Sequence, residues 1–314
     1  MCILLSTTAH PDYPLIILSN RDEYLVRPTK LAEYRPLDNG NKILSPLDMG
    51  RPEHGTWIGV STDGKIAVLV NYREVDMRHS ISKISRGVLP ISYLSTSQLD
   101  EGWYNSMDST EFEKIGGFSL LYGKIRMNPA TGKINHLNIL SNRGDPGKVF
   151  SNNIPVDDLH YEIGRKTTFG LSNSLYYQPW HKVQLGEILL HEAISDYSKF
   201  QWNEEKLVEE CFGILSHDTY DEEVKNSGDW NAKLAELKNS IFIPPLNTDL
   251  EKNQSSHVMG NYYGTRTQVV ILVDKVGNLN YYERDLHNGD CEELNIRKNH
   301  FKFKFDLYGK TSKL

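Results

Sequence analysis

The sequence is poor in cysteine: it has three in 314 residues, Cys2, Cys211 and Cys291, and none forms a CxxC pair. An odd number of cysteines without paired spacing argues against a disulfide framework and against a zinc site. No apolar run approaches the length of about 18 residues that a membrane-spanning helix needs. We therefore predict free thiols in a reducing compartment and no transmembrane segment.

The chain also lacks an excess of positive charge. Its formal net charge is -6 and its pI is near 6.0, so it offers no electrostatic footprint for nucleic acid. The first residues contain neither a basic region before an apolar core nor an Arg-rich amphipathic segment, so neither a signal peptide nor a transit peptide is predicted. No lipidation signal or basic cluster supports a membrane-organising scaffold. These absences predict a soluble, cytoplasmic protein.

The composition is that of an ordinary globular protein, with 39% hydrophobic and 24% charged residues. No internal repeat or obvious boundary divides the chain, which predicts a single domain over residues 1–314. β-rich runs fill most of the first half, helical spacing follows at residues 183–199 and 204–216, and β-rich runs then return. This order predicts an α+β domain in which antiparallel sheets lie between helices.

The chain begins with Met1 and Cys2, and removal of Met1 would leave a thiol and an α-amine on one residue. The α-amine titrates near pH 8 and a free thiol near 8.5, so at about neutral pH the amine can take the proton of the thiol. Cys2 is therefore a candidate nucleophile with its own base. The alternative is that Cys2 is a small apolar residue that opens a strand.

Residues 2–8 and 15–19 are apolar runs of strand length, and the turn between them predicts an antiparallel hairpin. A hairpin returns the end of its second strand to the start of its first, so residues 20–23, Asn-Arg-Asp-Glu, should lie near Cys2. Arg21 and Asp22 are thus candidate neighbours of the thiol. The alternative is that they belong to a charged loop that closes a strand.

Three later residues are further candidates. Asn71 ends a nearly continuous apolar run, and Asn173 ends a short run of small residues. Arg266 lies just before the β-rich run 268–274, at the start of a predicted central strand. The two amides can donate and accept hydrogen bonds, although Asn71 would also suit a turn and Asn173 a helix cap. The layered arrangement could bring these three side chains and the Cys2 group to one end of a sheet.

A set of short motifs occurs in a specific order over nearly the whole chain. They are Met-Cys-Ile at 1–3, Asn-Arg-Asp-Glu at 20–23, Gly-Thr-Trp at 55–57, Asn-Tyr at 71–72, Gly-Leu-Ser-Asn at 170–173, Ser-Ile-Phe-Ile at 240–243 and Gly-Thr-Arg-Thr at 264–267. In these motifs the chain resembles the NRDE family, also called the transport-and-Golgi-organisation-2 family. The resemblance implies a fold like that of the N-terminal-nucleophile (Ntn) hydrolases: a four-layer αββα sandwich of antiparallel sheets whose nucleophile opens a central strand.

The resemblance also implies roles for the candidate residues. In related cysteine acylases, which cut bile-salt and penicillin amides, an Arg and an Asp orient the thiol and amine, an Asn helps form the oxyanion hole, and a later Arg completes the site. By strand position these roles fall to Arg21, Asp22, Asn71 or Asn173, and Arg266. Those acylases usually separate the Arg and the Asp by two residues, whereas here the two are adjacent. Adjacent residues of a regular strand point to opposite faces, so Arg21 and Asp22 are not expected to approach the thiol from the same face.

Two functions follow as expectations from the resemblance. The first is hydrolysis of an amide or thioester bond in a small lipophilic acyl substrate, with no cofactor required and a link to lipid and haem homeostasis. The second is non-catalytic binding and trafficking of haem or acyl-coenzyme A, with Cys2 as an iron ligand and Arg21 or Arg266 as a clamp for a carboxylate or phosphate. Association with mitochondria or the Golgi is a further expectation.

Overall fold

Two antiparallel sheets of seven strands each lie at the centre of the protein, whose structure is a computed structural model that describes residues 2–75, 82–107, 114–248 and 260–309. Sheet A contains β1 (Ile3–Thr7), β2 (Leu15–Tyr24), β12 (Thr168–Leu171), β13 (Leu246–Asn247), β14 (Tyr262–Val273), β15 (Asn278–Asp285) and β16 (Arg297–Lys304). Its strand order is β12-β1-β2-β14-β15-β16, with β13 beside β14. The strand that follows Cys2 is therefore internal in its sheet.

Sheet B contains β3 (Thr29–Pro36), β4 (Lys42–Asp48), β5 (Ile58–Ser61), β6 (Lys65–Asn71), β7 (Phe118–Lys124), β10 (Leu137–Ser141) and β11 (Gly147–Val149). Its order is β11-β10-β7-β6-β5-β4-β3, and a separate two-stranded sheet joins β8 (Met127–Asn128) to β9 (Lys133–Ile134). Most neighbours in sheet B follow one another along the chain, as expected for strands joined by turns.

Helices cover the outer face of each sheet. The helices are α1 (Val88–Ser95), α2 (Asp100–Asn105), α3 (Tyr161–Gly164), α4 (His181–Phe200), α5 (Glu204–Leu215), α6 (Glu222–Asn226) and α7 (Trp230–Glu236). Helices α4 and α5 pack on sheet A, whereas α1 and α2 pack on sheet B. Among the described residues, no helix combines the length and apolar character required to cross a membrane.

The side chains of β2 show how the layers form. Leu15 and Ile17 point into the apolar cluster between the two sheets, while Ile16 and Leu18 point into the cluster under α4 and α5. Because successive strand residues face opposite sides, a continuous apolar run lets one strand serve two cores. A third cluster joins sheet B to α1 and α2. The resulting order of layers is αββα, which confirms the predicted fold class.

Some predicted boundaries are wrong. The apolar pattern ends the second strand at residue 19, but β2 continues to Tyr24, so the Asn-Arg-Asp-Glu tetrapeptide lies inside a strand. Pairing with β14 keeps these residues extended. The acidic stretch 98–114 has an irregular pattern, yet α2 forms there because Trp103 packs against Tyr93 and Tyr122. The two predicted long helices are confirmed as α4 and α5. Met1 lies outside the described residues, and so does most of the segment 247–260, whose polar composition predicts a flexible loop.

Candidate active site at Cys2

Cys2 lies directly before β1, between two neighbouring strands. Ile3 pairs with Asn20 of β2, and Leu4 pairs with Leu171 of β12. Continuing the first register by one residue places Cys2 opposite Arg21. Continuing the second by two residues places it opposite Asn173. The hydroxyl of Ser172 donates a hydrogen bond of 2.7 Å to the Cys2 carbonyl oxygen. The two neighbouring strands thus hold the start of the chain that the structure describes.

The thiol of Cys2 lies in a partly desolvated environment. The residue as a whole is half-buried and packs against the apolar cluster between the sheets. Burial raises the pKa of the Cys2 thiol, and the negative charge of Asp22 raises it further, whereas a backbone hydrogen bond with Asp22 and the charge of Arg21 lower it. The thiol is therefore protonated at neutral pH, and a nucleophilic role requires a base to take its proton.

Arg21 and Asp22 point to opposite faces of β2, as their adjacency predicts. The guanidinium of Arg21 stacks over Trp57 at 4.3 Å and lies 3.6 Å from Asp48, so it lies between the two sheets. The Asp22 carboxylate instead accepts a hydrogen bond of 2.7 Å from Thr265 on the helical side of sheet A. Both charges still act on the thiol from their separate faces.

The other two residues of the tetrapeptide follow the same alternation. The Asn20 side-chain amide faces the helices and donates to the carbonyl oxygens of Leu215 and Ile241 at 2.7 and 3.0 Å. Glu23 faces sheet B, where its carboxylate lies 3.5 Å from the Arg21 guanidinium. The tetrapeptide thus places one polar pair in each interlayer space.

Asn173 comes next to Cys2, whereas Asn71 contributes mainly its backbone. Asn173 is 2% exposed, and its side-chain nitrogen donates to the Asn71 carbonyl oxygen. The backbone N–H of Arg73 donates to the Asn173 carbonyl oxygen at 2.9 Å. The Asn71 residue is itself exposed. The arrangement therefore brings the Asn173 amide to the Cys2 end of the sheet and uses Asn71 to hold it.

Arg266 occupies a bulge in β14, where the pairing with β2 shifts by one residue. Its guanidinium donates to the carbonyl oxygens of Leu25, at 2.9 Å, and Arg27. Its Nε atom lies 3.7 Å from the Asp285 carboxylate. These contacts place Arg266 at the turn between β2 and β3, where it stabilises the backbone, and none of them reaches Cys2.

Lys182 is a residue that sequence reasoning missed. Its side chain is completely buried near the start of α4, and its Nζ lies 3.6 Å from the Asp22 carboxylate, which is also fully buried. The pKa of Lys182 lies below its ordinary value, because the effect of burial outweighs the opposing effects of the charges of Asp22 and Cys2. The signal was present in the sequence: helical spacing puts this lysine on the same buried stripe as Gly186 and Leu190.

A cleft of about 370 Å³ borders the site at Asn173. Its wall includes the aromatic rings of Tyr72 and Trp180 and the cationic side chains of Arg73 and Lys238. Polar and charged side chains, among them Glu74 and Gln178, make up about half of the lining. A mixture of aromatic surface and polar groups can hold a small organic ligand. Asn173 therefore joins the cleft to the Cys2 end of the sheet.

Comparisons with known proteins find similarity over nearly the whole chain. A family model described as Transport and Golgi organisation 2 matches residues 1–288. An uncharacterised protein of Saccharomyces cerevisiae is 29% identical over 98% of this chain and 100% of its own length. The Transport and Golgi organization 2 homolog of Mus musculus is 30% identical over 88% of each chain. Among solved structures, a conjugated bile acid hydrolase variant from Clostridium perfringens aligns over 98% of each chain with 11% identity and a TM-score of 0.42.

Proposed function

We propose, for a chain that belongs to the Transport and Golgi organisation 2 family, that Cys2 is the nucleophile of an amide or thioester hydrolase. The observation that supports this most is the position of Cys2: the residue precedes an internal strand, lies opposite Asn173 in the sheet register, and has a thiol on which the charge of Asp22, itself paired with Lys182, acts. The substrate we propose is a small lipophilic acyl compound that enters through the cleft at Asn173.

The chemistry begins with removal of Met1, which frees the α-amine of Cys2. That amine takes the thiol proton, and the thiolate attacks the acyl carbonyl to form a tetrahedral oxyanion. Collapse of this intermediate expels the amine or thiol of the substrate, which takes the proton from the α-ammonium, and leaves an acyl-enzyme. The amine then takes a proton from water, the hydroxide attacks the acyl group, and the carboxylic acid leaves as the proton returns to the Cys2 sulfur.

Asn173 is the oxyanion donor in this proposal. A side-chain amide nitrogen carries two hydrogens, and the Asn71 carbonyl takes one of them. The other hydrogen is available to the oxyanion. The bond to Asn71 also fixes the orientation of the amide, which is what a donor to a transition state requires.

The experiment is a turnover assay with a panel of acyl thioesters and N-acyl amides. We expect Cys2→Ala to reduce turnover by at least about 10³-fold, as removal of nucleophiles does in other enzymes. Asn173→Ala should reduce kcat by roughly 10²-fold or more, as the loss of a single oxyanion donor does elsewhere. Cys291→Ser is the matched control, because Cys291 is exposed and should not affect the rate.

Full activity of Cys2→Ala would overturn the proposal. The binding alternative, with haem or acyl-coenzyme A as ligand, predicts that the native protein binds its ligand without turnover. Loss of binding in Cys2→Ala would then identify the thiol as part of the ligand site, and binding that survives would show that the thiol is not needed. A haem titration followed by the Soret band and a titration with an acyl-coenzyme A separate these cases.

A further inference from the structure

We propose that Lys182 is a positioning residue of the Cys2 site: its buried ammonium compensates the charge that the Asp22 carboxylate exerts on the thiol and thereby allows the thiolate to form. This inference rests on the proposed function for its catalytic meaning, because a thiolate is useful only if Cys2 reacts. Lys182 lies outside the motifs that define the family resemblance. The observations that support its role are the packing of α4 on β1 and the contact between Lys182 and Asp22.

The geometry begins with the contact between α4 and β1. Gly186 lies directly on Leu5: a Cβ atom built on this glycine would come within 2.6 Å of a Leu5 methyl carbon. Lys182 lies one helical turn before Gly186, so its side chain is on the same stripe of the helix. The absence of a side chain at Gly186 lets α4 approach the strand closely enough for Lys182 to enter the layer next to Asp22.

Burial determines what the ammonium can do there. The Lys182 and Asp22 side chains are both 0% exposed, and 3.6 Å separates the ammonium nitrogen from the carboxylate oxygen. A charge removed from water is tolerated when it is paired. The close approach of the two groups supports an ion pair, and in this proposal Lys182 remains an ammonium while the Cys2 thiol gives its proton to the α-amine.

The charges around the thiol show why this pairing matters. Among the described residues, the charges that act on the thiol include those of Asp22 and Arg21 in β2 and of Lys182 in α4. In the processed chain the α-amine of Cys2 is added to them. The Arg21 guanidinium also pairs with the carboxylates of Glu23 and Asp48 on the side of sheet B, at 3.5 and 3.6 Å, so its charge is not directed at the thiol alone. Without Lys182, the Asp22 carboxylate would oppose a second negative charge on the sulfur in a buried environment.

The experiment measures the thiol titration directly. Protein that carries ¹³C at the cysteine Cβ atoms gives one signal for each of its three cysteines, and the Cys2 signal is the one absent from Cys2→Ala. We expect the Cys2 titration midpoint of Lys182→Met to rise by about one pH unit or more relative to the native chain. Lys182→Gln keeps a hydrogen-bond donor for Asp22 without the charge, so it should show the same rise if Lys182→Met does not fold.

Lys65→Met is the matched control, because Lys65 is another buried lysine, on the opposite sheet, whose ammonium donates to backbone carbonyls such as that of Gln98. The titration midpoint of Cys2 in the Lys65→Met variant should stay at the native value. A purely structural role for Lys182 would lower the melting temperature in the Lys182 variants and leave the midpoint within about 0.2 pH units of the native value. That result would overturn the inference.

The readout also separates the two proposals. A raised midpoint in a protein that shows no turnover would leave Lys182 as the group that tunes the thiol and reject the hydrolase function. Turnover that depends on Cys2, combined with an unchanged midpoint, would keep the hydrolase function and reject the role of Lys182.

Discussion

At the scale of single residues, the Asn-Arg-Asp-Glu tetrapeptide joins three layers of the molecule. Arg21 and Glu23 occupy the space between the sheets, and Asn20 and Asp22 face the helices. Alternation along an extended strand explains this division. Arg21 and Asp22 act electrostatically on the thiol, whereas Asn20 is structural.

Asn20→Leu tests the structural role of that residue. The side chain is 0% exposed and satisfies two backbone carbonyls, so a leucine of similar volume would leave both without their donor. Unpaired buried carbonyls should lower the free energy of unfolding by about 2 to 4 kcal/mol. Urea unfolding followed by tryptophan fluorescence measures the change.

Asn152→Leu is the control for the chemical change alone, because Asn152 is exposed. It should alter the free energy of unfolding by less than about 0.5 kcal/mol. An equally small effect of Asn20→Leu would contradict the structural role assigned to Asn20.

The sequence could identify part of the site and not the rest. Strand order placed Arg21, Asp22 and Asn173 near Cys2, since these residues end or follow neighbouring strands. It could not reveal that the Asn71 side chain is exposed or that Arg266 binds the β2–β3 turn, because a strand end and a bulge are set by pairing partners distant in the chain.

At the scale of elements, the position of α4 on β1 determines the environment of the thiol. Gly186 permits close contact with Leu5, and this contact fixes where the start of the helix lies. A glycine inside a helix normally costs about 1 kcal/mol relative to alanine. Its presence here is explained by packing.

Gly186→Ala is therefore expected to destabilise the protein although alanine favours the helix. The new methyl group would overlap the buried Leu5 side chain, and overpacking of this kind costs about 1 to 3 kcal/mol. The net loss in the free energy of unfolding should be up to about 2 kcal/mol after the gain in helix propensity of about 1 kcal/mol. Chemical denaturation measures it.

The neighbouring helix supplies a control. Gly213 lies in α5, and apart from the backbone of its own helix no atom of the described residues lies within 4 Å of the position that a Cβ atom would take there. Gly213→Ala should therefore stabilise the protein by up to about 1 kcal/mol. Opposite signs for the two glycines support close packing at Gly186. The same sign would show that α4 does not depend on this contact.

At the scale of the whole molecule, a buried carboxylate links the two sheets. Glu283 of β15 is 1% exposed and accepts a hydrogen bond of 2.9 Å from the backbone N–H of Ala32 in β3. Its Oε1 atom has no hydrogen-bond partner among the described residues. Burial raises the pKa of Glu283 to about 7 from its ordinary value of 4.5.

This raised pKa predicts a pH-dependent stability. The folded state holds the Glu283 proton more tightly than the unfolded state, so the contribution is fully present below pH 4.5 and is lost as pH rises through about 7. Glu283→Gln removes this loss. The stability of the variant relative to the native chain should therefore increase by roughly 2 to 3 kcal/mol between pH 5 and pH 8.

Urea titrations of both proteins at several pH values measure this difference. Native and variant stability curves that stay parallel across the range would contradict a raised pKa at Glu283.

The fold as a whole could be predicted further than the site. Apolar runs and helical spacing predicted antiparallel sheets between helices, because the pattern of β2 and the stripes of α4 and α5 record which faces are buried. The four-layer αββα order came from the family resemblance. The family resemblance is confirmed by the match over residues 1–288. What local patterns could not supply is the partner of each buried charge, such as Lys182 for Asp22, because those pairs join residues far apart in the sequence.

Intact-mass spectrometry of the protein after brief incubation with an acyl thioester and quenching in acid tests most directly whether Cys2 is the nucleophile. A nucleophilic Cys2 predicts a chain that lacks Met1, an added acyl mass that maps to Cys2, and no such adduct in Cys2→Ala. A chain that retains Met1, or an adduct that persists in Cys2→Ala, would contradict it.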